Sequence, residues 1–145
     1  MSEVLIRYIH FLGIISFSAA LMVECILVQM NADTQKLKRL AAVDGWFGIS
    51  AMIVLTAGLL LWFAGSKPSP FYSTNWVFHL KIATFGLIAL LSIYPTLFFI
   101  RNRNNNAHIV IIPSSIVMAI RAELILLMTM PLLAVLMARG YGLSL

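Results

Sequence analysis

Four long apolar runs, divided by short polar stretches, make up nearly the whole chain. The first extends from about Val4 to Met30 and gives way to Asn31-Ala32-Asp33-Thr34-Gln35-Lys36, with Lys38 and Arg39 close behind. The second runs from about Leu40 to Ala64 and closes at the breaker sequence Gly65-Ser66-Lys67-Pro68-Ser69-Pro70. The third spans about Asn75 to Ile100 and ends at Arg101-Asn102-Arg103-Asn104-Asn105-Asn106. The fourth starts near Pro113-Ser114-Ser115 and stops near Ala138, before Arg139-Gly140. Each run exceeds the roughly 20 residues that cross a bilayer as a helix. The pattern predicts one integral membrane domain over residues 1–145 with helices at about 4–30, 40–64, 75–100 and 114–138. Pro95 and Pro131 fall inside the last two, where a bundle tolerates kinks. The first run is longer than a signal-peptide core of about 7–15 residues and has no A-x-A-like end, so it reads as a retained helix.

Composition supports this class. Of 145 residues, 61% are hydrophobic and 10% charged, with a mean hydropathy of +0.98. A soluble domain carries about a quarter charged residues. The net charge of +5 is scattered over loops and helix ends, a topology signal rather than a nucleic-acid footprint. Lys36, Lys38, Arg39, Arg101 and Arg103 lie in the first and third loops, and Lys67 alone in the second. The positive-inside rule therefore places the first and third loops in the cytoplasm and both termini outside. Trp62, Phe71, Tyr72 and Trp76 gather at the second loop, as an aromatic belt at the outer interface would. The expected fold is all-α, an antiparallel four-transmembrane-helix bundle in a bacterial inner membrane, with the lipid bilayer as its principal partner and no nucleic acid. Cys25 is the single cysteine, so neither an intrachain disulfide nor a cysteine metal cluster is available.

Ionisable groups inside such helices are costly and usually face the bundle interior. The first helix holds Arg7, His10 and Glu24, the second Asp44, the third His79 and Lys81, and the fourth Arg121 and Glu123. His10 lies roughly 9 Å below the outer boundary at about 1.5 Å per residue, and His79 at a similar depth of roughly 6–9 Å. Glu24, Asp44, Arg121 and Glu123 fall in the cytoplasmic half. His10, Phe17 and Glu24 are spaced by sevens and share a face. His79 and Lys81 point to nearly opposite sides of their helix, so only one of them can aim at a given point.

Two imidazoles at matched depth suggest axial ligands for a non-covalent haem b, with Arg7 on a propionate. Cross-helix hydrogen bonding is the plain alternative. For the inner group, buried ion pairs with Arg121 compete with a proton relay or a site for a polar substrate group. Ala41, Gly45 and Gly48 suggest close helix contact. Met128 and Met130 could offer thioether ligands, and His108 reads as a solvated loop residue.

Tyr8-Ile9-His10-Phe11-Leu12-Gly13-Ile14-Ile15, Trp76-Val77-Phe78-His79-Leu80-Lys81 and Arg121-Ala122-Glu123 resemble, in order, segments of the HemJ-type protoporphyrinogen oxidases. The resemblance extends to a wider CopD-like group of bacterial four-helix membrane proteins, and within it to an uncharacterised HemJ-like family. It implies haem b held by His10 and His79, with Lys81, Arg121 and Glu123 as residues of the reaction. Where HemJ-type proteins carry a Pro-Arg pair at the first helix's end, this chain reads Met22-Val23-Glu24-Cys25-Ile26-Leu27, so haem binding carries over more directly than porphyrinogen oxidation. The leading expectation is a haem b-binding redox protein exchanging electrons with a quinone, a porphyrinogen or a respiratory-chain protein. A CopD-like copper or proton transport component and a structural accessory subunit are the rivals. A homo-oligomer is expected, because so thin a bundle needs a neighbour to enclose a macrocycle.

Overall fold

The computed structural model describes residues 2–65, 69–105 and 109–142. Four long helices carry the architecture: α1 (Ser2–Leu27), α2 (Thr34–Ala64), α4 (Trp76–Asn102) and α5 (Ser114–Ala138). A short α3 (Ser69–Ser73) precedes α4, and two-residue strands β1 (Asn31–Ala32) and β2 (Val110–Ile111) lie in the first and third connections. The long helices have hydropathies of 1.9 to 2.1. At about 1.5 Å per residue, even the shortest outspans the roughly 30 Å hydrocarbon layer.

α1 packs closely on α2 and α4 on α5, while lighter α1–α5 and α2–α4 contacts close the ring. This leaves α1 and α4 on one diagonal. The sequence in the ring is up-and-down, so α1 and α4 start at one end, called here the terminal end, and finish at the other, the basic end. Leu21, Leu37, Leu40, Ile88, Phe99, Ile116 and Ile120 fill the interior. At mid-height Phe17 stacks on Phe47 with ring centroids 4.5 Å apart and lies tilted against Phe85 at 5.9 Å. Large apolar side chains such as Phe11, Ile53, Leu90 and Ile125 face outward, as lipid contact requires.

Two boundaries differ from the sequence expectation, each for a local reason. α1 stops at Leu27 because Asn31 and Ala32 pair antiparallel with Ile111 and Val110, and the Ile112 N–H donates to the Met30 carbonyl at 2.8 Å. α2 starts at Thr34, well before Leu40, because the Asp33 carboxylate accepts from the Lys36 N–H at 2.7 Å and caps the helix. Lys36, Lys38 and Arg39 are therefore helical. The second connection also holds α3, with Pro70 in its first turn, where a missing N–H costs nothing. Lys67 and His108 lie outside the described residues.

Glycines mark one contact and miss another. A Cβ on Gly13 would stand 3.0 Å from a Val54 methyl, so α1 and α2 cross closely there. Gly45 and Gly48 have nothing within 4 Å of an added Cβ. The expected helix contact at these two positions is absent among the described residues, since both fall on the outward face of α2. At the terminal end, the buried Asn75 caps α4 by accepting from Val77 N–H and donates to the Tyr141 carbonyl at 3.1 Å. The chain's last described residue, Gly142, adopts φ 87° against Asn75 and Val77, where any side chain would collide.

Candidate functional site

Polar side chains enter the bundle in two layers separated by the Phe17–Phe47–Phe85 cluster. In the terminal-end layer, His10 Nδ1 lies 3.0 Å from the Val54 carbonyl of α2, and the ring rests against Gly58, 3.4 Å from where a Cβ would stand. A carbonyl only accepts, so Nδ1 is the donor, and in the neutral ring Nε2 is the bare nitrogen. Arg7 is exposed and bound to Glu3 one turn away, at 2.6 and 2.9 Å. His79 is also exposed. Its Nε2 donates to the Ser73 carbonyl at 2.8 Å and ties the start of α4 to α3.

The structure does not bring the His10 and His79 imidazoles to a common point. They sit on diagonal helices and serve different carbonyls, one inside the bundle and one outside. Two residues advance a helix by about 200°, so α4 turns one of His79 and Lys81 inward and the other outward. It is the half-buried Lys81 whose charge reaches His10. Depth was readable from residue numbers, but rotation about α4 was not.

Below this layer Ser16 Oγ and Ser50 Oγ are 2.9 Å apart, and the Trp46 indole N–H donates to Ser16 Oγ at 2.7 Å. These bonds lock α1 to α2 just above the phenylalanines.

The second layer lies toward the basic end. Glu24, Asp44 and Glu123 are 2%, 4% and 1% exposed, so three of the chain's five acidic residues are enclosed in the bundle. They come from α1, α2 and α5. α4 supplies Thr96, whose hydroxyl donates to Asp44 Oδ1 at 2.8 Å. Every long helix thus contributes one polar group to this level. The three carboxyls lie within electrostatic reach of one another. Oε1 of Glu123 is buried without a hydrogen-bond partner among the described residues.

No ion pair joins Arg121 to Glu24, Asp44 or Glu123 among the described residues. Arg121 is exposed, because it stands two residues from Glu123 and therefore on the opposite side of α5. The buried ion pairs considered from the sequence do not form, and its long side chain is free to run toward the basic-end interface. No group of three or more His, Cys, Asp or Glu side chains among the described residues is close enough together to hold a metal ion.

Sequence reasoning singled out the three acids but passed over Thr96, Gly58 and the Ser16–Ser50–Trp46 link. A threonine in an apolar helix commonly bonds its own preceding turn, as Thr84 does to the Leu80 carbonyl at 2.8 Å, so nothing in the sequence distinguishes Thr96.

Residues 2–142 match the family described as "Predicted membrane protein (DUF2214)", and the chain belongs to that family. No curated protein and no solved structure matches the chain.

Proposed function

We propose that this DUF2214 member carries protons across part of the membrane, with Glu24, Asp44 and Glu123 as its carrier site and Thr96 holding Asp44 in place. The observation that supports this best is the buried Oε1 of Glu123, unpartnered among the described residues, beside two further enclosed carboxyls that no described cation pairs. A bare carboxylate in a hydrocarbon layer is very costly, and intramembrane acids without basic partners typically serve proton or ion pathways. Neutrality at this level then has to come from something that enters and leaves.

The seven-residue spacing of α1 places His10, Phe17 and Glu24 on one line. In this reading the line is a path: an outer polar layer at His10 and Lys81, an aromatic barrier at Phe17, and the acid site within. The basic end faces the cytoplasm and the termini face outward, by the distribution of Lys and Arg, in the inner membrane of a bacterium. The protein reconstituted in liposomes, with a membrane potential imposed and an internal pH indicator, tests this. Flux of H⁺ above protein-free vesicles is expected, and Glu24→Gln or Glu123→Gln should cut it at least about tenfold, the loss of one general acid–base group. Wild-type protein that moves no protons refutes the proposal.

A second reading has one observation in its favour. Metal-bound histidine characteristically donates its other ring N–H to a carbonyl or carboxylate, as His10 does to Val54. His10 Nε2 would then hold a haem b iron in a HemJ-like redox protein, the group supplying one-electron chemistry to a quinone or porphyrinogen. His79, bonded to Ser73 on the outside of α4, does not fit as the second ligand from the same chain. Supplying haem and recording the Soret band of wild type and His10→Ala separates this reading from the first.

A further inference from the structure

The ends of α2 and α4 are fastened together at the basic end. The Thr34 hydroxyl donates to the Asn105 carbonyl at 2.9 Å, and the β1–β2 pairing ties the first connection to the third. Between the two helix ends opens a recess of about 350 Å³ lined by Lys38, Ala41, Ala42, Arg103 and Asn104. That volume lies within the range of about 300–1,000 Å³ usual for ligand sites. Its lining combines two cationic residues, two alanines and one asparagine. Neither Lys38 nor Arg103 has an ion-pair partner among the described residues.

The acids explain why. Glu3 is bound to Arg7, Asp33 caps α2, and the other three are enclosed in the bundle. Arg39 and Arg101, both exposed, add to the same field. A neighbouring recess of about 200 Å³ contains Asp33 and the Lys36 ammonium, which is held by Gln29 at 2.5 Å. It is thereby unsuited to an anion.

We propose that the Lys38–Arg103 recess binds the phosphate of an anionic phospholipid headgroup. An arginine fork and a lysine point charge are the usual pair for a phosphate. The site lies where the apolar spans of α2 and α4 meet water, so a lipid phosphate reaches it while the acyl chains lie along Ala41, Ala42 and the exposed face of α2. Basic recesses between membrane helices are suited to such headgroups. The inference stands independently of the acid layer.

The test uses the full chain in mild detergent, with phosphatidylglycerol, phosphatidylcholine or inorganic phosphate added and binding read by native mass spectrometry and thermal shift. Phosphatidylglycerol should give a retained adduct and raise the melting temperature, whereas phosphatidylcholine and inorganic phosphate should not. Removing one charge-assisted contact by Lys38→Ala or Arg103→Ala should weaken binding about tenfold. Lys36→Ala should leave it unchanged. Equal effects of phosphatidylcholine or of inorganic phosphate overturn the lipid assignment. Unchanged phosphatidylglycerol binding in the folded double variant overturns the site.

Discussion

Replacing Glu123 by Met should make the protein more stable and less active. In most buried positions the loss of a carboxyl leaves a partner stranded, and the variant is weakened. Glu123 has no such partner at Oε1, and its residue is 1% exposed. An unsatisfied buried polar atom costs about 1–3 kcal/mol. Met has a similar length and fills irregular space, so its packing cost stays below about 1.5 kcal/mol. The expected balance is a gain of about 1–2 kcal/mol from these opposing effects. Unfolding in mixed micelles of increasing SDS content, followed by circular dichroism, measures it. Ion flux by the same variant should disappear. A Glu123→Met variant weakened by more than about 1 kcal/mol would mean that the carboxyl holds the bundle together, and the carrier role would lose its foundation.

Arg121→Gln should change stability by no more than about 0.5 kcal/mol, as for an exposed side chain, whereas loss of a buried ion pair would cost about 3–5 kcal/mol in the same titration. Phe17→Ala removes a ring stacked at 4.5 Å on Phe47. It should destabilise by about 3–5 kcal/mol and raise passive proton leak in liposomes, and a tight variant would show that the aromatic cluster is no barrier. Gly142→Ala places a methyl group against Asn75 and Val77 at φ 87°. It should release the tail, read as faster hydrogen exchange at Trp76, whose N–H donates to the Gly142 carbonyl at 3.2 Å.

The four spans were legible because membrane helices announce themselves through long apolar runs, and nothing else in this chain competes with that signal. The start of α2 was not. Asp33-Thr34-Gln35-Lys36 reads as loop by polarity, yet Asp33 is a helix cap and the lysines belong to the first turns. The β1–β2 pair joins connections nearly 80 residues apart (Ala32 to Val110) through two residues each, too short for any periodicity to register. In the candidate site, depth could be counted from helix ends, and it grouped Glu24, Asp44 and Glu123 at one level. Azimuth could not be counted without knowing which faces pack. Arg121 and Glu123 share a depth but not a side, and the same is true of His79 and Lys81. The haem expectation rested on matched depth and on the HemJ-type resemblance; in the structure the two rings bond different carbonyls, His10 that of Val54 and His79 that of Ser73.

The carrier account rests on carboxyl groups that change their occupancy as charge crosses the membrane, and difference infrared spectroscopy observes such groups directly. When a pH gradient is imposed on reconstituted protein, the account predicts a change in the carboxyl bands that Glu123→Gln diminishes and a Glu24→Gln, Asp44→Asn, Glu123→Gln triple variant abolishes. A wild-type spectrum without any carboxyl change, or one that the triple variant reproduces, would contradict it.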